Sequence, residues 1–287
     1  MTLAAGIDVG GTKCLGVVVD GSGAIVREVR RPTPTADLLV DVLLEIVLEL
    51  GEHDTIGVGV PGLISRQGVI RSSPNMSTAI EMPVREQLSD ALGEHVWCDN
   101  DATCATLAEW QMGAGVGAHD MVLVTLGTGI GGGIVSGGVL QHGAHGHAGE
   151  AGHMVVDAHG ELCPCGQRGC WERYASGAGL ARLSGGLSGE EVISQARRGD
   201  DAAVFVVNTY CEWVALGLAN LANFSDPDVM VIGGGVMEAA DVLLPPIRQH
   251  FARLLYAPSH RQHPRVVGAE LGERAGAIGA SLLHLHD

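Results

Sequence analysis

The run Leu3-Ala4-Ala5-Gly6-Ile7-Asp8-Val9-Gly10-Gly11-Thr12-Lys13-Cys14-Leu15-Gly16-Val17-Val18-Val19 opens the chain and sets its reading. Leu3 to Val9 has a strand pattern, Gly10-Gly11-Thr12 is a turn, and Cys14 to Val19 is a second apolar strand. Gly21-Ser22-Gly23 turns the chain again, into a third strand from Ala24 to Val29. The pattern restarts near residue 117. Met121 to Thr125 is an apolar strand, followed by Leu126-Gly127-Thr128-Gly129-Ile130-Gly131-Gly132-Gly133 and a further strand. Aligning Val9-Gly10-Gly11 with Leu126-Gly127-Thr128 superimposes strand, turn and strand. The chain therefore reads as an α/β protein of two lobes built by internal duplication, 1–117 and 118–273.

The other elements fill this frame. Apolar side chains at 38, 39, 42, 43, 46 and 50 have helical spacing. Strand Thr55 to Val60 ends at Pro61-Gly62, and a helix is predicted from about Pro83. Strand Val96-Trp97-Cys98 leads through Asp99-Asn100-Asp101 into a helix over 102–112. Helices are predicted around 190–198, with Ser188 and Glu191 as a capping box, and over 201–222. Strand Val229 to Ile232 ends at Gly233-Gly234-Gly235, and a last helix is predicted over 274–284.

Composition limits the partners. With 287 residues and 46% hydrophobic side chains, two cores can be buried; only 3% are aromatic, so Val, Leu, Ile, Ala and 43 Gly must fill them. The net charge of −16 disfavours nucleic acid and anionic membrane, both of which are bound through Lys and Arg. It does not exclude a nucleotide whose phosphates are held by backbone N–H groups and Mg²⁺. No basic segment with a following apolar run opens the chain, and no uninterrupted apolar run reaches membrane-spanning length, so a cytoplasmic location is expected. Of seven Cys, four are scattered (Cys14, Cys98, Cys104, Cys211) and three are clustered, which in a reducing compartment points to a metal.

Several constellations carry possible chemistry. In Asp8-Val9-Gly10-Gly11-Thr12-Lys13, a carboxylate at a strand end can hold Mg²⁺ while Gly10, Gly11, Thr12 and Lys13 meet phosphate; the plain alternative is a hairpin turn. Gly127, Thr128, Gly129, Gly131 and Gly132 form a second such stretch, and the pairing of the two strengthens the phosphate reading. Asn100-Asp101, between strand and helix, suits a general base with an adjacent amide, although from the residues alone an N-cap is the commoner meaning. His153, Cys163, Cys165 and Cys170 supply four ligands for a closed, structural Zn²⁺ site within 153–170. Glu150, His153 and Glu172 flank that segment and suit sugar hydroxyls; against this, Glu is usually a solvated surface residue. His142, His145 and His147 read as a polar loop, and Gly234-Gly235 could lie against a flat base or ribose.

Taken in order, these motifs resemble the ROK family (repressors, open reading frames and kinases), and within it bacterial ATP-dependent glucokinases. The carrying residues are Asp8 to Lys13, Gly59-Val60-Pro61-Gly62, Pro74-Asn75, Asn100-Asp101-Ala102, Leu126 to Gly133, Gly149-Glu150-Ala151-Gly152-His153-Met154, Cys163-Pro164-Cys165-Gly166-Gln167-Arg168-Gly169-Cys170-Trp171-Glu172 and Gly233-Gly234-Gly235. The resemblance implies an actin-like (ribonuclease H-like) fold of two lobes with ATP and sugar in the cleft, and a C-terminal helix, within 274–287, that rejoins the first lobe. It implies that Asp101 is the catalytic base, in place of an N-cap. It further implies that Gly62, Asn75, Asn100, Asp101, Glu150, His153 and Glu172 bind the sugar, glucose above all, and that the protein is a homodimer or homotetramer. The sequence departs from the family pattern at Met76-Ser77-Thr78-Ala79, where a Trp is usual, at Ser65, near the place of an acid, and in a shortened 178–200 region. Other readings are a kinase for N-acetylmannosamine, N-acetylglucosamine or fructose, a polyphosphate-using glucokinase, a non-catalytic sugar-binding protein and a repressor. Polyphosphate-using relatives tend to carry an extra residue in the first glycine turn, absent here. A repressor would need a DNA-binding segment, for which the seven residues before Asp8 leave no expectation.

Overall fold

The computed structural model describes residues 2–286 apart from Pro74, Asn75 and Ser77. By its contacts the chain divides into two compact units. The first comprises Met1–Val116, Leu140–Gly149 and Glu273–Asp287, and the second Gly117–Val139 and Glu150–Gly272. The sequence boundary at 117/118 gave 140–149 to the second lobe, whereas by contacts this segment packs with the first unit.

The first unit begins with an antiparallel meander, β1 (Leu3–Val9), β2 (Lys13–Asp20) and β3 (Ile25–Pro32), in which Val9 faces Cys14 across the Gly10–Thr12 turn. Helix α1 (Leu39–Leu50) follows, presenting Leu39, Leu43, Ile46, Val47 and Leu50 to the core. Then come β4 (Thr55–Val60), the short antiparallel pair β5 (Leu63–Ile64) and β6 (Ile70–Ser72), α2 (Val84–Leu92), β7 (Val96–Asn100) and α3 (Asp101–Met112). The sheet runs β3-β2-β1-β4-β7, with β1, β4 and β7 parallel and β7 at the edge. Continuous apolar burial on β1 and β4 is what a parallel sheet covered on both faces requires.

The second unit repeats this plan. Its strands are β8 (Met121–Leu126), β9 (Ile130–Ser136) and β10 (Val139–Leu140), where the chain passes to residues of the first unit. Helices α4 (Glu172–Ala175), α5 (Gly177–Leu183), α6 (Gly189–Arg197) and α7 (Asp201–Ser225) precede β11 (Val229–Gly233), α8 (Ala240–Leu254) and β12 (Arg265–Gly268). The order β10-β9-β8-β11-β12 matches the first sheet strand for strand, again antiparallel then parallel. The duplication read from the glycine turns is thus a duplication of whole sheets. Helix α7 is long and apolar enough to cross a membrane, but half of its apolar stretch is buried in the unit's own core. Val207, Tyr210, Cys211, Val214 and Leu218 are shared with Val124, Ile232, Leu243 and Phe251 in one core cluster. The Ser188–Glu191 capping box forms as read. Helix α8, which sequence reading passed over, carries Pro245 and Pro246 in its interior; proline removes a helical N–H, so the sequence signal was a breaker rather than a helix.

The chain returns to the first unit in α9 (Ala275–Leu282), buried over Ala275–Ser281. Its small side chains let it lie directly on Gly6 of β1 and Gly57 of β4, whose Cβ positions would fall 2.1 Å from Ala277 O and 2.0 Å from Ala280 O.

Candidate functional site

In the first unit, Asp8 and Asp101 stand at the C-terminal ends of β1 and β7, the two neighbours of β4. Burial, reinforced by the Asp101 charge and opposed by Lys13, pushes the Asp8 carboxyl up to about 8. Burial also raises Asp101, against the pull of the Ala102 N–H. Two desolvated acids side by side favour a proton or a cation. The turn between them and β2 is closed by Gly10 N–H donating to Lys13 O at 2.9 Å. Among the described residues, the Gly11 and Thr12 amides have no protein acceptor, so they can serve an anion. Lys13 is engaged with Glu273, which also accepts from Arg30, while Glu28 accepts from Arg30 and Arg274.

The N-cap question resolves on geometry. Asn100, not Asp101, caps α3: its Oδ1 accepts from Ala102 N at 2.9 Å and Thr103 N at 3.1 Å. Its Nδ2 donates to Gly62 O at 3.0 Å. Asp101 is the first residue of α3, with Oδ1 2.9 Å from Ala102 N. Asn75 lies outside the described residues.

In the second unit the repeated turn is closed by Gly127 N–H to Gly129 O at 3.0 Å, and the Thr128 and Gly129 amides likewise have no acceptor among the described residues. Gly131 N donates to Thr125 Oγ1 at 3.2 Å. Gly129 is required for contact: a Cβ there would sit 2.8 Å from Glu172 Oε2. Behind the turn, Gly177 N donates to Gly127 O at 2.8 Å. Gly234, with φ 86° and its Cβ position 2.4 Å from Leu126 O, cannot be another residue without strain. Next to it, Gly177, Leu180, Ile193, Arg197, Gly235 and Val236 help line a cavity of about 460 Å³. Sequence reading found Gly234 and Gly235 but not the α5 and α6 side of this cavity, because those residues carry no motif of their own.

The donor atoms of His153, Cys163, Cys165 and Cys170 all lie within 4.8 Å of one another. Cys165 Sγ is 3.6 Å from Cys170 Sγ, and Cys163 Sγ is 3.9 Å from His153 Nδ1. Tetrahedral zinc with bonds of about 2.3 Å to sulfur places neighbouring donors about 3.8 Å apart, so the donor set fits that ion. Glu172 Oε1 is 3.0 Å from Cys163 Sγ and 3.9 Å from His153 Nδ1, and Glu150 Oε2 is 4.0 Å from His153 Nε2. The structure therefore gathers Glu150, His153 and Glu172, and sets Glu172 against Gly129. Trp171 anchors this segment: its Nε1 donates to Trp213 O at 2.7 Å, and its indole lies on Gly217 of α7.

Two duplicated sheets, each with a glycine turn after its first strand and acids at the strand ends of the first, define the actin-like, ribonuclease H-like ATPase fold. The chain belongs to the ROK family, whose description it matches over residues 4–287. It is similar to glucokinase of Streptomyces coelicolor, 35% identical over 308 residues, with 98% of this chain and 97% of that one covered. Glucokinase of Halalkalibacterium halodurans is 38% identical over 316 residues, covering 97% and 93%. Among solved structures, a ROK family glucokinase from Streptomyces griseus in complex with glucose and AMPPNP matches at a TM-score of 0.89 and 35% identity, covering 98% of both chains.

Proposed function

We propose that this protein is an ATP-dependent hexose kinase that converts glucose to glucose 6-phosphate in the cytoplasm. The observation that carries the reading is the half-buried, desolvated acid pair Asp8 and Asp101 beside an open-amide glycine turn. Asp101 accepts the proton of the attacking sugar hydroxyl; being raised by burial, it is a stronger base than an exposed carboxylate once ionised. The hydroxyl oxygen bonds to the γ-phosphorus as the bond to the ADP oxygen breaks. Asp8 is placed to hold Mg²⁺, which neutralises charge on the transferring phosphate when bound. The turns Gly10–Lys13 and Gly127–Gly132 offer amides to phosphate oxygens, and Gly235, next to Gly234, borders the cavity assigned to the nucleoside. Gly62, Asn75, Asn100 and Asp101 from the first unit and Glu150, His153 and Glu172 from the second are assigned to the sugar. The contact of Glu172 with Gly129 supports this, since it brings a sugar ligand to a phosphate turn.

His153, Cys163, Cys165 and Cys170 would hold a zinc ion, which would be structural, because four protein donors would leave no open position for an activated water. His153 would then give Nδ1, which faces Cys163, to the metal and leave Nε2, which faces Glu150, for the sugar side. The active form is assigned as a homodimer or homotetramer. The test is a coupled assay of purified protein with Mg·ATP or polyphosphate and a panel of glucose, mannose, fructose, N-acetylglucosamine and N-acetylmannosamine. Glucose with ATP is expected to give the highest kcat/KM. A preference for another sugar or for polyphosphate would overturn the assignment.

A further inference from the structure

Asp99 is the residue before Asn100 on the edge strand β7, and it is 8% exposed. Its Oδ1 accepts the Asn100 N–H at 2.7 Å. Its Oδ2 lies 2.7 Å from His142 Nε2, within hydrogen-bond distance. His142 begins a tight loop of the first unit, closed by Ala148 N–H to His142 O at 3.1 Å. Arg66 donates Nε and Nη2 to Gly143 O at 3.0 and 2.8 Å, and Gly146 packs its backbone onto Ile64 and Arg66. Those two anchors lead to β5 and its turn. The Asp99 anchor leads to the backbone that carries Asn100 and Asp101. The loop continues directly into Gly149 and Glu150. On its far side the pair borders a cavity of about 110 Å³ lined also by Arg85, Cys98 and His286.

We propose that Asp99 and His142 are positioning residues for sugar binding: one carboxylate fixes both the backbone before Asp101 and the start of the loop that delivers Glu150 and His153. The inference rests on the kinase reading. The residues touch no reacting atom; they set where the proposed sugar ligands begin. His142→Ala should raise the sugar KM about tenfold, the scale of one hydrogen bond to a charged group, while the ATP KM stays within about twofold. His142→Gln, which keeps an N–H near the place of Nε2, should recover most of the loss. Asp99→Asn should act in the same direction, and the double variant should be no worse than the more impaired single one, as expected for one shared interaction. Amide hydrogen exchange across 143–150, measured without substrates, should be faster in His142→Ala and near wild type in His142→Gln. A wild-type sugar KM in His142→Ala, equal losses for sugar and ATP, or unchanged exchange would overturn the proposal. If the wild-type protein phosphorylates no sugar, the kinase reading fails instead, and the exchange measurement still decides whether the pair anchors the loop.

Discussion

Replacing Asp8 with Asn should stabilise the protein in a way that depends on pH. The Asp8 carboxyl titrates near 8 in the folded chain, against 3.8 ordinarily, mainly because it is buried and secondly because Asp101 is near. Between those values the unfolded chain has lost the proton and the folded chain keeps it. The folded state then binds more protons, so Asp8 makes stability fall as pH rises through this window. The slope is about 1.4 kcal/mol per pH unit. From pH 5 to pH 7 the wild type should lose about 3 kcal/mol that Asp8→Asn, with no proton to release, does not lose. That corresponds to a difference in Tm shift of about 6–12 °C for units of this size. Thermal melts at the two pH values in magnesium-free buffer measure it. Mg²⁺ should then stabilise the wild type and not the variant, since binding to the folded state alone raises stability. A Tm difference between wild type and variant that is the same at pH 5 and pH 7 would refute the desolvated carboxylate, and an equal response of both proteins to Mg²⁺ would refute its role as the ion's ligand.

Other outcomes follow from the same geometry. Asp101→Asn should leave sugar affinity within a few-fold in equilibrium titration and lower kcat by at least ~10²-fold, the usual contribution of a positioned base; near-normal turnover would remove that role. Metal analysis of protein purified without chelator should find about one zinc per chain, and Cys165→Ser should raise the sugar KM strongly; a zinc-free protein or an unchanged KM would break the link between metal and sugar. Because Glu172 contacts both Cys163 and Gly129, this variant should also weaken Mg·ATP binding to a smaller degree, read by titration. Gly217→Ala should destabilise by about 3 kcal/mol in denaturant melts, since its Cβ would fall 2.0–2.4 Å from the fully buried indole of Trp171; a loss under about 0.5 kcal/mol would mean the ring can move aside.

Much of this was legible in the sequence because its signals are local. Strand β4 falls at Thr55–Val60 as its apolar run predicts, and the Ser188–Glu191 box needs only residues three apart. The duplication was visible because both copies carry strand, glycine turn and strand within one short run of sequence. The four metal donors are likewise close in sequence. What sequence did not carry is pairing across the fold. Asp101 read alone as a cap, and only the side chain of Asn100, folded back onto Ala102 and Thr103, shows which residue holds α3. His142 read as one polar residue in a histidine-rich loop; its bond to Asp99 joins residues 43 apart. The contact of Glu172 with Gly129 and the cavity beside α5 and α6 depend in the same way on tertiary packing.

The most direct test of the account is the product formed from glucose and Mg·ATP by wild type and Asp101→Asn, followed by phosphorus NMR with ADP release measured in parallel. The wild type should form glucose 6-phosphate and ADP in equal amounts and release little ADP without glucose, and the variant's rate should be at least ~10²-fold lower. No glucose-dependent ADP from the folded, zinc-loaded wild type, or equal rates from the two proteins, would contradict it.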